Sequence, residues 1–162
     1  MTTIAVTGHM DLTDASVPLV RDAVREALKP YADGDLTGVS CIAKGSDSLF
    51  AEIVLELGGR LVAVIPSRDY RQAKVKPDHA ETFDRLTAAA DEVLVLAHDT
   101  ANRHAYEDAN RTLLKRADRL VAVWSGESPT GKGGGTADTV VEAREAGLPV
   151  EVVWPNGAAR RN

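Results

Sequence analysis

Apolar runs alternate with helix-spaced apolar positions along almost the entire chain. Six short apolar runs are typical of strands buried on both faces, at residues 4–6, 38–43, 61–65, 92–96, 120–124 and 149–154. Between them, apolar residues recur every three or four positions, which predicts helices over 14–28, 46–57, 77–90, 105–116 and 137–147. This alternation predicts an α/β fold: a doubly wound, mostly parallel sheet of about six strands with helices on both faces.

Length and composition favour one domain of ordinary globular type. We expect that domain over residues 1–156, followed by a loose C-terminal tail over 157–162. No apolar run approaches the ~18 residues that cross a membrane. The single cysteine, Cys41, excludes an internal disulfide, which suits a cytoplasmic protein. The formal net charge of −5 argues against nucleic acid as a partner.

A glycine-rich segment follows the fifth predicted strand. Residues 131–136 read Gly-Lys-Gly-Gly-Gly-Thr and precede the last predicted helix. Glycine has no Cβ, so the backbone N–H groups of Gly133, Gly134 and Gly135 can approach an anion closely. Thr136 is expected to cap the helix, whose N-terminus favours negative charge. The segment therefore predicts a site for a phosphorylated small molecule such as a nucleotide; a plain connector is the alternative.

Other nucleotide and metal motifs are incomplete. Residues 126–133 nearly match the phosphate-binding loop of nucleotide hydrolases, but Gly133 stands where a Ser or Thr would bind Mg²⁺. The glycine motif of NAD-binding enzymes is absent after the first strand. The spacing of His79, His98 and His104 fits no metal site. We therefore expect no metal and no cofactor.

Further candidate residues lie where predicted strands end, because ligands of such sheets bind at the carboxyl ends of the strands. Gly8 is expected to let the backbone approach a ligand. His9 either binds a phosphate or base or fills the wall of the crevice. Gly45, Ser46 and Asp47 open the second helix, where they either cap it or help to bind phosphate.

The connector over 67–79 is long and basic, with four Lys and Arg residues. It predicts either a lid that clamps phosphate or a solvated surface loop. Tyr70 within it is a candidate to stack on a base, since an amphipathic aromatic ring suits that role. Trp124, at the end of the fifth strand, is a second candidate for contact with the base or sugar.

Four segments in order resemble the SLOG superfamily, which groups the LOG-type phosphoribohydrolases with the Smf/DprA-type proteins. These segments cover residues 6–12, 43–52, 117–124 and 134–138. The last two are also similar to segments of the nucleoside 2-deoxyribosyltransferases. The resemblance implies a Rossmann-like domain that binds nucleotides or nucleotide-derived ligands. It also implies a homodimer or a higher oligomer.

One departure from the LOG pattern bears on catalysis. That pattern has a catalytic glutamate three residues after a Gly-Thr pair, where this chain has Thr139. Cleavage of an N-glycosidic bond develops positive charge on the ribose, which a carboxylate stabilises and a threonine does not. We therefore favour a nucleotide-binding sensor or carrier. The alternative is an N-glycosidase or ribosyl-transfer enzyme with Asp138 or Glu52 as its acid.

Overall fold

The computed structural model describes residues 1–129 and 135–161. Six strands form one sheet, and every pair of neighbouring strands is parallel. The strands are β1 (Thr2–Gly8), β2 (Leu36–Ser40), β3 (Arg60–Ile65), β4 (Glu92–Val95), β5 (Arg119–Val123) and β6 (Val150–Val152). Their order across the sheet is β4-β3-β2-β1-β5-β6. The predicted α/β fold is confirmed.

Helices cover both faces of the sheet. They are α1 (Ser16–Leu28), α2 (Ser46–Glu56), α3 (Tyr70–Lys74), α4 (Pro77–Ala89), α5 (Arg103–Arg116) and α6 (Thr136–Glu145), with a short 3-10 turn at Lys29–Tyr31. The first, second and fourth helices pack on one face, and the fifth and sixth on the other. None of the helices described is both long and apolar enough to span a lipid bilayer.

The two-residue period of a strand explains why both faces are apolar. Along β1, Ile4 and Val6 point to one face and pack with Val20 of α1. Ala5 points to the other face and packs with Leu113 of α5. All five side chains are buried. A strand that buries both sets of side chains reads as a continuous apolar run, which is the pattern seen in the sequence.

The sheet has its switch point between β1 and β5. The chain leaves β1 towards β2 on one side, while β5 and β6 lie on the other side. Gly8 at the end of β1 is paired with Val123 at the end of β5. Connections that depart in opposite directions leave a crevice at the carboxyl ends of these two strands, where ligands of such folds bind.

The basic segment over residues 67–79 is not an open loop. It forms α3 and the start of α4, with Pro77 in the first turn of α4. Tyr70 is buried against Phe83, with ring centroids 5.9 Å apart. The carboxylate of Asp69 accepts hydrogen bonds from Ser67 and from the backbone N–H of Ala101. These contacts hold the segment against the body of the protein.

The C-terminal residues are also held in place, in contrast to the loose tail that was expected. Ala159 exchanges two hydrogen bonds with the buried hydroxyl of Ser16. The Ala159 carbonyl also accepts from the backbone N–H of Thr13. Leu12 and Arg160 form an antiparallel bridge. This docking could not be predicted from the sequence, since residues 157–161 have no apolar periodicity.

Candidate functional site

A cavity of about 660 Å³ opens at the crevice between β1 and β5. Its volume lies in the range of small-molecule sites. Its walls come from the loop after β1, the first turns of α2 and α6, and parts of α3 and α5. The predicted site residues that line it are Gly8, His9, Asp47, Tyr70, Trp124, Gly135, Thr136 and Asp138. Gly133 and Gly134 lie outside the described residues.

Gly8, Gly45 and Ser46 join the loop after β1 to the start of α2. A Cβ on Gly8 would lie 2.4 Å from Cβ of Ser46. Gly45 has a φ of +84°, and a Cβ there would lie 2.9 Å from the carbonyl oxygens of His9 and Met10. Both glycines therefore allow two segments of the protein to touch. Gly45 and Ser46 do not line the cavity.

The sequence suggested Ser46 as a cap of α2, but it is not the N-cap residue. Gly45 holds that position, and Ser46 is the first helical residue. Its hydroxyl donates to the carbonyl of His9 at 2.8 Å and is fully buried. Ser46 bonds in this way because the loop after β1 lies close to α2 and brings the His9 carbonyl within reach. Both groups are buried there, and buried polar groups need a hydrogen-bond partner.

His9 connects the loops that follow β1 and β5. Its Nε2 accepts a hydrogen bond from the backbone N–H of Ser125 at 3.0 Å. Since a backbone N–H can only donate, Nε2 is unprotonated, and the Ser125 hydroxyl at 3.1 Å donates to it as well. Burial lowers the pKa of His9, and the charge of Arg160 lowers it further. The neutral imidazole therefore joins the two loops by hydrogen bonds in the cavity wall. Its Nε2 has no proton to donate to a phosphate.

Asp47 places a buried carboxyl group on the cavity. Its residue is 9% exposed, and burial raises its pKa to about 7, although a hydrogen bond from the backbone of Ala43 opposes the shift. No salt bridge reaches Asp47 from residues 1–129 or 135–161. Burial also raises the pKa of the neighbouring Cys41 thiol well above its ordinary range, with a further contribution from Asp47. The raised pKa disfavours the reactive thiolate form of Cys41, which also lines the cavity.

Aromatic side chains line two sides of the cavity. Tyr70 and Tyr106 meet edge to face, with ring centroids 6.5 Å apart. Burial raises the pKa of both phenols, so both are neutral donors. Trp124 donates from Nε1 to the carbonyl of Glu127, and its ring lies 5.8 Å from the guanidinium carbon of Arg144. Tyr106 was missed from the sequence because it lies on the face of α5, away from any strand end.

The first turn of α6 opens into the cavity. Its N-cap is Gly135, and Thr136 is the first helical residue, so the expected threonine cap is wrong. Gly135 has no side chain that could accept from the first N–H groups of the helix. The Asp138 carboxylate accepts a long hydrogen bond of 3.3 Å from the N–H of Gly135. Thr139 is buried and donates to the carbonyl of Gly135, so it does not reach the cavity.

Among the residues that the structure describes, three cationic side chains line the same cavity. Lys74 and Lys76 are exposed, and neither forms an ion pair with any described residue. Arg160 pairs with Asp11 at 2.8 Å and with Glu127 at 2.7 Å. The lysines were recognised from the sequence as part of a basic segment. Arg160 was missed because it lies in the residues expected to form a loose tail.

Glu52 lies away from the cavity. Its carboxylate pairs with Arg21 at 3.4 Å and with Arg85 at 2.8 Å, on the outer side of α2. It does not line the cavity. Of the two candidate catalytic acids, Asp138 and Glu52, only Asp138 lines the cavity.

No family model matches the sequence. No curated protein matches it either. Solved structures do match. DNA processing protein A (DprA) from Streptococcus pneumoniae is similar with a TM-score of 0.69 and 17% identity, over 97% of this chain and 52% of DprA. This chain thus spans about half the length of that protein. DprA from Helicobacter pylori is similar with a TM-score of 0.66 and 16% identity, over 98% of this chain and 68% of DprA.

A second group of similar structures consists of molybdenum cofactor proteins. The molybdenum cofactor carrier protein from Chlamydomonas reinhardtii has a TM-score of 0.58 and 22% identity, over 94% of this chain and 75% of the carrier. Similarity at these identities establishes the fold. It confirms the Rossmann-like fold that the sequence resemblance implied. The further resemblance to nucleoside 2-deoxyribosyltransferases stays a prediction.

The comparisons overturn the expectation against nucleic acid. The H. pylori DprA, which is similar in fold, binds single-stranded DNA. A net charge of −5 was the ground for that expectation, but net charge is an average over the whole surface. Phosphate contacts depend on local charge, so the average does not exclude them.

Proposed function

We propose that the cavity binds a phosphorylated small molecule, such as a nucleotide, and that the protein acts as a sensor or carrier of it. One observation carries the proposal: the first turn of α6, whose N-cap is a glycine without a capping side chain, and the side chains of Lys74 and Lys76 line the same cavity. The first backbone N–H groups of a helix have no partner within the helix. Together with the helix dipole and two ammonium groups, they suit an anion.

The depth and lining of the cavity supply the rest of a nucleotide site. Tyr106 and Trp124 offer aromatic surfaces for a base or sugar. The buried carboxyl group of Asp47 can accept or donate a hydrogen bond near neutral pH. A polar group at each of a few positions on an apolar lining is typical of small-molecule sites.

The similar structures support a carrier role without fixing the ligand. The C. reinhardtii protein is a carrier of the molybdenum cofactor, and a protein from Rippkaea orientalis with a TM-score of 0.57 and 14% identity binds that cofactor. We propose that this chain holds its ligand at the carboxyl edge of its sheet, where the cavity lies. Proteins of similar fold therefore include two that take the molybdenum cofactor and one, the H. pylori DprA, that binds single-stranded DNA.

The first test is a binding panel on the purified protein. We would measure thermal stabilisation and calorimetric binding with AMP, ADP, ATP, pyrophosphate and a single-stranded oligonucleotide. The proposal expects binding of at least one of the four small phosphates. Tight binding of the oligonucleotide alone would replace it with a DNA-binding function. Absence of binding to all five probes would contradict the phosphate site.

The role of the lysines is tested by a matched pair of variants. Lys74→Ala with Lys76→Ala removes two charges from the cavity wall. Lys115→Ala with Lys29→Ala removes two charges from outside the cavity lining. The proposal expects affinity for the bound phosphate to fall at least about tenfold in the first double variant. Equal affinities in the two double variants would show that bulk charge, not the site, attracts the ligand.

A second candidate function is N-glycosidase or ribosyl-transfer activity. The observation that favours it is the carboxylate of Asp138, which lines the cavity beside the first turn of α6. Such a carboxylate can stabilise positive charge on a ribose. Release of free base, measured in the same samples as binding, distinguishes the two functions. If base is released, Asp138→Asn should abolish release while leaving binding in place.

A further inference from the structure

The last residues of the chain form a strap across the loop that follows β1. We define the strap as residues 157–161. The hydroxyl of Ser16, which is fully buried, donates to the carbonyl of Ala159 at 3.2 Å and accepts from its N–H at 2.8 Å. The N–H of Arg161 donates to the carbonyl of Asp11 at 2.6 Å. Backbone bonds on both sides of Arg160 therefore fix where its side chain begins.

Arg160 bridges the two loops that border the crevice. Its Nε donates to Asp11, in the loop after β1, at 2.8 Å. Its Nη1 donates to Glu127, in the loop after β5, at 2.7 Å. A guanidinium carries five N–H donors in a planar fork. Two ion pairs therefore leave donors of the same group for a third acceptor at the cavity.

The charges around Arg160 explain why it matters to an anionic ligand. Asp11, Glu127 and Arg160 all line the cavity. Burial raises the pKa of Asp11, but the hydrogen bond and charge of Arg160 outweigh it, so the net pKa is lowered and the group stays ionised. Without Arg160, two carboxylates would face any phosphate in the cavity. Like charges at that range oppose binding.

We propose that the strap is a wall of the ligand site and that Arg160 is its anion-contacting residue. This inference rests on the proposed function, because it names a further residue of the same site. Arg160 acts in two ways: it neutralises Asp11 and Glu127, and it presents its remaining N–H donors to the phosphate. The site is thus completed by a segment that begins more than twenty residues after Thr136, the first residue of α6.

Arg161 provides a matched control within the strap. Its Nε donates to the carbonyl of Leu12 at 3.1 Å, and it pairs with Asp14 on the outer surface. It does not line the cavity. Arg160→Ala and Arg161→Ala therefore remove the same group from adjacent residues of one strap. They differ in whether that group reaches the cavity.

The experiment measures affinity for AMP, ADP, ATP and pyrophosphate by calorimetry in wild type, Arg160→Ala, Arg160→Lys and Arg161→Ala. We expect a loss of at least about tenfold in Arg160→Ala, a smaller loss in Arg160→Lys, and a change within about threefold in Arg161→Ala. Hydrogen exchange of residues 157–161 reports whether the strap is still docked in each variant. A strap that stays docked in Arg160→Ala assigns the loss to the side chain itself.

A triple variant separates the two ways in which Arg160 acts. Arg160→Ala with Asp11→Asn and Glu127→Gln removes the carboxylates that Arg160 neutralises. We expect it to recover part of the affinity lost in Arg160→Ala and not all of it. Full recovery would show that Arg160 neutralises carboxylates without contacting the ligand, and would overturn the contact.

The outcomes distinguish the inference from the proposed function. If wild type binds none of the four probes, the proposed function fails, and the inference fails with it. If wild type binds and the Arg160→Ala and Arg161→Ala variants bind equally well, the inference alone is overturned. Undocking of the strap with unchanged affinity would also overturn it, because the strap would then form no part of the site.

Discussion

Gly8 and Ser46 meet so closely that a Cβ on Gly8 would lie 2.4 Å from Cβ of Ser46. The hydroxyl of Ser46 also donates a hydrogen bond of 2.8 Å to the carbonyl of His9, the residue after Gly8. The end of β1 and the first turn of α2 are therefore joined at one point on the edge of the cavity. The glycine is needed for contact between two protein segments, which differs from the approach to a ligand that its position suggested.

This contact predicts a large effect of a single methyl group. Gly8→Ala places Cβ against Ser46 and 2.8 Å from Cβ of Val123, and neither neighbour is the flexible end of a side chain. We expect a loss of roughly 1–3 kcal/mol in the free energy of unfolding, measured by urea denaturation. Gly34→Ala is the control, because its nearest neighbour would be 4.0 Å away. Equal stability of the two variants would contradict the close contact.

The fold was predictable because its strands are buried on both faces. Continuous apolar runs marked all six strands, and the spacing of apolar residues marked five of the helices. The short helix α3 was missed, since its five residues hold too few apolar positions to show a period. The order of the strands is set by long-range pairing, such as Gly8 with Val123, and no local pattern encodes it.

The site was predictable only in part, for a related reason. Strand ends could be read from the sequence, so His9, Asp47, Trp124 and Gly135 were predicted as site residues, and all four line the cavity. Arg160 reaches the cavity because the chain returns to it from a distant position, which local patterns do not report. Hydrogen-bond partners could not be predicted either. No pattern in the sequence indicates that the Ser46 hydroxyl donates to the His9 carbonyl instead of capping its own helix.

His9 should stabilise the junction of two loops in a pH-dependent way. His9→Ala removes the acceptor of the Ser125 N–H, and we expect a loss of about 1–3 kcal/mol at pH 8. Because its pKa is lowered in the folded state, the stabilisation is complete above its ordinary pKa of about 6.5 and is lost as the pH falls through the folded value. Urea denaturation of wild type and variant from pH 5 to 8 measures both effects.

The control for this prediction is His104→Ala. The side chain of His104 is 86% exposed, so its removal should leave stability almost unchanged at every pH. The difference between wild type and His9→Ala should narrow as the pH falls below 6.5. A constant difference across the whole range would mean that the imidazole is not held in its neutral form.

Asp47 should have the opposite dependence on pH. Burial raises its pKa from 3.8 to about 7, so the folded state binds a proton that the unfolded state has released between these values. Its stabilising contribution is complete below pH 4 and is lost as the pH rises through 7. Asp47→Asn removes the ionisable group, and at pH 8 the variant should be more stable than wild type by roughly 2–4 kcal/mol.

Thermal denaturation between pH 4 and pH 8 compares Asp47→Asn with Asp33→Asn. Asp33 is exposed, so its variant should follow the wild-type profile. The Asp47→Asn profile should be flatter, with its gain over wild type appearing only above about pH 5. A variant that is less stable than wild type at pH 8 would show that the carboxylate form of Asp47 is stabilised in the fold.

Ser16 should control the docking of the strap without touching the cavity. Its buried hydroxyl makes both bonds to Ala159 and also contacts the hydroxyl of Thr13 at 2.6 Å. Ser16→Ala leaves the Ala159 N–H without its partner, at a cost of about 1–3 kcal/mol. Ser48→Ala is a matched variant, because Ser48 is also buried and donates to the carbonyl of Ala43, far from the strap. Both substitutions should lower global stability, but only Ser16→Ala should speed hydrogen exchange over residues 157–161. Equal protection of the strap in the two variants would mean that the ion pairs of Arg160 and Arg161 hold it by themselves.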